Sequence, residues 1–410
     1  MFTINSQKDK PLCIYGVFRP LYIIARVFGF FPFSLNLETN DIRFTTIDLF
    51  VFVVQVAIYS CTTYLNIIYN LVEFLVMSAL LAQGLRIGVI FGLLNSIAFL
   101  FADLCHRHQA FDIFILYQDF DLQMRFFGST LNNTQIKRHV HIYVFVWIAI
   151  SVVYAGVSLW IMDNFFNFIS IALLFLSFFI STAVFGVALS IYAFLIFNIR
   201  MRFRLLNETL RKLPIKTADV SVVKVTNKAS NLLANIMKLA ELHDKLNTIL
   251  DLVNKCYSIQ AMFAFAVSFT FVVFSFFGIY RGWTTNTGNN EQFLLSVVLT
   301  MWASYYMFFV MNVLWAGQSS KSEGKFTAVL VHRAINKCHD MEVIERLMAF
   351  SNQISHRIPD ANCKLFSFDW TLLFSIVAAT STYLIILIQF DASGYKPPSF
   401  GINNFTLLVN

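Results

Sequence analysis

Charge is scarce in this chain: 13% of its 410 residues are Asp, Glu, Lys or Arg, while 58% are hydrophobic. With a mean hydropathy of +0.66, that balance excludes a soluble globular enzyme, and the spread of 47 Phe excludes a single anchor on a soluble body. Proline is sparse too. Its seven copies (11, 20, 32, 214, 359, 397, 398) all lie outside the long apolar runs. That removes the Pro-kinked helices of G-protein-coupled receptors and weakens an inverted-repeat transporter built on discontinuous helices. The six Cys (13, 61, 105, 256, 338, 363) form no CxxC pair, so neither a zinc site nor a disulfide framework is signalled. No GxSxG, P-loop, HExxH or kinase-type motif is present, and no cofactor is implied, so nothing points to an enzyme. The net charge of +7 does not point to nucleic acid, because Lys and Arg fall in the gaps between apolar runs instead of forming a patch.

What is abundant is apolar sequence of membrane-crossing length. Seven runs of about 20 residues or more are poor in charge. They extend from Ile47 to Tyr69, Leu75 to Phe101, His141 to Met162, Phe168 to Ile199, Tyr257 to Tyr280, Phe293 to Trp315 and Phe368 to Phe390. Of the 30 Lys and Arg, 27 fall on one side of these spans and only Arg281 and Lys396 on the other, with Arg86 inside the second span. The positive-inside rule therefore expects an all-α polytopic protein with a cytoplasmic N-terminus and an external C-terminus. The first ten residues are polar, so no cleaved signal peptide is expected. The sequon at Asn404 lies on the external side.

The organisation expected is a cytoplasmic N-terminal segment (1–45), a seven-span domain (46–390) with cytoplasmic helical extensions at about 200–256 and 316–367, and an external tail (391–410). Tyr15 to Phe33, aromatic and basic, reads as a helix lying in the membrane interface. Leu239, Leu242, Leu246, Ile249 and Val253 recur at intervals of 3 and 4 and form one seam of a helix entering the fifth span. That seam suits a helix packing on its own chain or a bundle joining subunits. Two shorter helices are expected at Lys325 to Cys338 and Met341 to His356.

Gly84, Gly88 and Gly92 make a ridge on the second span that permits close helix approach, with no ligand role assigned. Arg86 on the same helix should face protein or water, through Asp48, Glu73, a carbonyl or a ligand. Cys105, His106, His108, His139 and His141 cluster in sequence, but His-x-His points two rings to different sides of a helix, so no metal site is expected. In the last span, Thr382, Ile386 and Gln389 share one face, with Tyr383, Leu387 and Phe390 on the next. A mostly apolar face with one amide at its outer end suits a pore that closes by dewetting. Taken alone, the pattern favours a helix that faces lipid or packs on its neighbours.

The segment from Thr382 to Phe390 matches letter for letter the TYhhhhhQF signature of insect gustatory receptors, at the end of the last span. The chain resembles that family throughout, in length, span number, inverted topology, long basic segment between spans four and five, and Asp369-Trp370 at the entry to the last span. The resemblance implies a gustatory receptor acting as a ligand-gated, non-selective cation channel, assembled as a homotetramer or as a heterotetramer with related receptors. Its place would be the plasma membrane of a chemosensory neuron, on the dendrite. It further implies that Thr382, Tyr383, Ile386, Gln389 and Phe390 belong to the pore and gate, and that the Leu239 to Val253 seam is a subunit anchor. A small-molecule tastant would bind in the outer half of the bundle, where Gln83, Arg86, Tyr154, Trp160, Tyr280 and Trp302 are the polar and aromatic candidates. The abundance of Phe and Tyr leans toward apolar or alkaloid-like bitter compounds. The alternatives are a sugar-responsive channel of the same family, or a seven-helix receptor or transporter without a pore.

Overall fold

The computed structural model describes residues 14–30, 34–36, 41–43, 46–68, 79–163, 168–213, 222–284 and 290–393. Glu73, Lys396 and the sequon at Asn404 lie outside them. Nine helices make up the described chain: α1 (Ile14–Val27), α2 (Thr46–Ile68), α3 (Ala79–Arg125), α4 (Asn133–Met162), α5 (Phe168–Lys212), α6 (Val222–Thr284), α7 (Asn290–Ile335), α8 (Met341–His356) and α9 (Trp370–Ala392). A three-residue antiparallel pair, β1 (Ser34–Asn36) with β2 (Asp41–Arg43), joins α1 to α2. Seven helices, α2 to α7 and α9, are long and apolar enough to cross a membrane.

A bilayer core needs only about 20 helical residues, so α3, α5, α6 and α7, at 47, 45, 63 and 46 residues, project far beyond it. Their projections build a second, polar-edged bundle on the Lys- and Arg-rich side. α7 runs unbroken to Ile335, so the separate helix expected from Lys325 is the end of this long one. α3 runs on to Arg125, a projection absent from the expected organisation. Its inward stripe of Ala110, Ile113, Phe114, Tyr117, Phe120 and Met124 is buried. α8 has the bounds expected, with Asp340 as its N-cap accepting from the Glu342 amide at 3.0 Å. α1 and α3 end where Gly29 and Gly128 adopt positive φ, a conformation that costs glycine little.

The lower bundle is riveted by charge. Arg202 is buried, pairs with Asp121 at 2.7 Å and lies over the Tyr117 ring at 4.2 Å, tying α5 to α3. Lys245 pairs with Asp119, and Arg357 reaches Asp244 and Asp251 at 2.6 Å each. The Asp119 carboxyl is held below its usual range, first by the hydrogen bond from Lys245. The apolar face of α1 docks on protein: Val17, Phe18, Leu21 and Ala25 are buried, and the Phe18 ring lies 5.0 Å from Phe114 and 5.3 Å from Phe194.

The seam on α6 resolves in favour of its own chain. Leu239, Leu242, Leu246, Ile249 and Val253 are each 0% exposed within one copy, where α6 packs on α3, α5, α7 and α8. These side chains make their contacts within one copy, the first of the two arrangements that the seam suits.

Candidate ligand cavity and pore helix

A cavity of about 90 Å³ opens in the outer half of the bundle, between α3, α4, α5, α6 and α7. The glycine ridge of α3 creates it. A side chain at Gly84 would collide with the Phe274 ring, so there α3 lies against α6. At Gly88 a Cβ would meet nothing within 4 Å, and at Gly92 it would meet only Ser181, at 3.4 Å. Missing side chains therefore leave one wall open, and both Gly88 and Gly92 line the cavity. The opposite wall is aromatic. Trp302 and Tyr306 come from α7, Phe175 and Phe178 from α5, and Phe271 from α6. The Phe178 ring lies 5.1 Å from Trp302 edge to face, and Phe271 lies 4.6 Å from Tyr306.

Hydrogen bonds fix the rings of this wall. The Trp302 indole donates to Ser158 at 2.9 Å and the Tyr306 and Thr182 hydroxyls meet at 3.1 Å, while behind the wall the Trp147 indole donates to Tyr305 at 2.9 Å. Among the described residues the rest of the lining is Gly, Leu, Val and Met, with Ser158 and Ser181 as the only further polar side chains. Among the described residues, no carboxylate, ammonium or amide side chain faces the space. Chemically, such a cavity rewards apolar and aromatic surface and offers a ligand one or two hydroxyls.

α9 is built differently from its neighbours. Asp369 caps its start by accepting from the Thr371 amide at 3.0 Å. Although as apolar as the other spans, α9 touches mainly α6 and, less, α7, and only Thr380 along it is buried. Thr382, Ile386, Gln389 and Phe390 are exposed in a single copy. Tyr383 is exposed too, with its ring 5.8 Å edge-on from Phe269 of α6. At the outer end Arg281 pairs with Asp391 at 2.9 Å, joining α6 to α9. Ser375, Thr382 and Gln389 recur every seven residues and so form one stripe. The hydroxyls of Ser375 and Thr382 each donate to the carbonyl four residues earlier, at 3.1 Å.

The 7tm Chemosensory receptor family model matches residues 18–394 of this chain. The chain belongs to that family. Over 97% of its length the receptor is 20% identical to gustatory receptor 28b of Drosophila melanogaster, of which 91% is covered. Over 38% of its length it is 30% identical to gustatory receptor 28a of the same fly, there covering 35% of the relative. Its fold is shared with the insect olfactory receptor OR5 from Machilis hrabei, at 12% identity and a TM-score of 0.63, over 92% of this chain and 98% of that one. The same olfactory receptor in complex with eugenol matches with a TM-score of 0.59 and 13% identity, over 90% and 97% of the two chains.

Among the receptor's six candidate pocket residues, the cavity wall includes Trp302. Tyr154 stands behind it, ring edge-on to Trp302 at 6.1 Å and hydroxyl 3.0 Å from Ser304. Gln83, Arg86 and Tyr280 are half-buried and outside the lining, and Trp160 is 68% exposed on the outside of the bundle. Asp48 pairs with Arg26 of α1 at 2.8 Å. His106 and His141 turn Nδ1 to the carbonyls of Ala102 and Lys137 on their own helices. Gly88, Gly92, Ser158, Phe178, Phe271 and Tyr306 are among the cavity residues that sequence reasoning missed. The glycine spacing was the signal for the first two.

Proposed function

We propose that this receptor is a ligand-gated, non-selective cation channel of a chemosensory neuron, with α9 helices from four copies lining the pore and a small neutral, largely apolar molecule opening it from the outer cavity. The observation that carries this reading is α9 itself. A span whose side chains are mostly unburied in one copy, with a polar stripe ending at Gln389, suits a helix surrounded by its own symmetry mates and water better than one packed in lipid. The lining supports the ligand class. Each sugar hydroxyl left unpaired there would cost about 1–3 kcal/mol, and a cationic alkaloid would find no carboxylate among the described lining residues. Apolar cavities of roughly 150 Å³ accommodate a benzene ring, so the smaller space here suits a compact molecule that displaces flexible side chains such as Met162.

The test is recording from excised patches of cells expressing this chain alone, with G-protein signalling blocked. Eugenol, a disaccharide and a quaternary alkaloid are applied to the outer face. Unitary cation currents evoked by eugenol and not by the disaccharide support the reading. Replacing Gln389 or Phe390 then changes conductance or gating at unchanged surface expression. Currents identical to wild type in both variants refute the pore assignment.

A further inference from the structure

Helix α7 serves two places at once. Its outer part supplies Leu295, Val298, Leu299, Trp302 and Tyr306 to the cavity, and it continues unbroken to Ile335. Lys321 stands on the same helix, about 28 Å beyond Trp302 at 1.5 Å per residue. Its Nζ lies 2.9 Å from Asp360 Oδ1 and 3.2 Å from Asp369 Oδ2. Asp369 is the N-cap of α9, and its other oxygen holds the Thr371 amide. Asp360 belongs to the linker from α8 to α9, where its Oδ2 accepts from Ser367 at 2.5 Å and its carbonyl accepts from Asn254 of α6 at 2.9 Å.

Two glycines flank Lys321 on the same face of α7. A Cβ at Gly317 would collide with the carbonyl oxygen of Phe368, and one at Gly324 with the ring of Pro359. The linker therefore lies directly on the α7 backbone on both sides of the ammonium. It is tightly wound, with the Phe368 amide bonded to the Ala361 carbonyl at 2.7 Å, Cys363 to Phe366 at 3.1 Å, and Lys364 at a φ of +68° that the Asn362 side chain supports. Burial alone would lower the Lys321 pKa and raise that of Asp369; the hydrogen-bonded pairing reverses both, so the ammonium and carboxylate are each held charged.

We propose that Lys321 is a positioning residue for the gate, clasping the first turn of α9 to α7 so that displacement of α7 at the cavity is delivered to α9. This rests on the reading of α9 as the pore helix. A ligand between α7 and its neighbours acts on one end of a rigid rod. The two carboxylates and two glycine seats at the other end leave the linker little freedom to lag behind.

The experiment uses the full-length receptor and the variants Lys321→Met, Lys321→Arg, Asp369→Asn and the Met/Asn double. Asn retains the cap of α9 and removes only the charge. Basal open probability and the eugenol concentration for half-maximal current are read in excised patches. Coupling elements of this kind change such constants by about 2- to 30-fold. Lys321→Met and Asp369→Asn are expected to shift both readouts within that range. The double variant should match either single, Lys321→Arg should stay near wild type, and unitary conductance should not change. Wild-type gating in Lys321→Met, or effects that multiply in the double variant, overturns the proposal. Where wild type passes no current, the pore reading falls, and the clasp is read by hydrogen exchange of the purified receptor. A tenfold faster exchange at Thr371 and Leu372 in Lys321→Met, on the order of 1.4 kcal/mol of local opening, upholds the link. Unchanged exchange overturns it.

Discussion

His243 is a buried imidazole that acid should turn against the fold. It lies in the lower bundle, fully buried on α6, with its ring 5.2 Å from Phe203 and 5.8 Å from Phe350. Neither nitrogen makes a hydrogen bond of good geometry. Burial drives its pKa down from 6.5 to about 4, against opposing pulls from the Gly324 backbone and Asp244. The folded chain thus keeps His243 neutral while the unfolded chain takes up a proton as pH falls below 6.5. Stability is unaffected by this group above that point and declines through it toward pH 4. The loss amounts to about 2 kcal/mol at pH 5 and approaches about 3 kcal/mol near pH 4. His243→Leu removes the titrating group at similar volume. Unfolding of wild type and variant in detergent, followed between pH 7.5 and 5, should show the variant gaining about 2 kcal/mol relative to wild type across that range. Parallel pH profiles would refute the buried neutral imidazole.

Gly88→Leu puts a side chain into open space on the cavity wall, so the response to eugenol should disappear while melting temperature and surface expression hold. Retention of wild-type sensitivity would remove ligand binding from this cavity. Leu246→Ala empties a fully buried position in the α6 seam and should cost about 2–5 kcal/mol in an unfolding measurement; a near-neutral result would mean that the seam is not packed within one copy. Asp391→Asn breaks the partly exposed pair with Arg281, a loss of at most about 1 kcal/mol. It should show as a modest rise in hydrogen exchange confined to the last turn of α9.

The spans were legible because a bilayer imposes a length: about 20 apolar residues in a row announce themselves without any partner. Where the chain leaves the membrane, that constraint lapses. α7 carries Gly317, Lys321, Lys325 and Gly324 just past Trp315, residue types that suggest a break, yet the glycines are there to seat the linker and the helix continues. The α3 projection was readable from the spacing of Ala110, Ile113, Tyr117, Phe120 and Met124, once a helix rather than a loop is allowed there. Periodicity exposed the seam on α6 but not its partner, since a buried stripe looks the same whichever surface covers it. The cavity was least legible. Trp302 stands out as an outer-half aromatic, but a void is made by what Gly88 and Gly92 lack, and by five helices meeting at one level.

The stripe on α9 has a consequence for charge discrimination. Ser375 and Thr382 commit their hydroxyl hydrogens to their own helix, so what each presents outward is an oxygen lone pair. Ringed about an axis by neighbouring copies, these positions would form tiers of acceptors without carboxylates, separated by about 10 Å along the helix. A dehydrating cation would find oxygen at each tier, whereas an anion would meet like polarity and no free donor before the Gln389 amide. Valence preference would then come from how two small side chains spend their protons, with no fixed charge on the stripe itself.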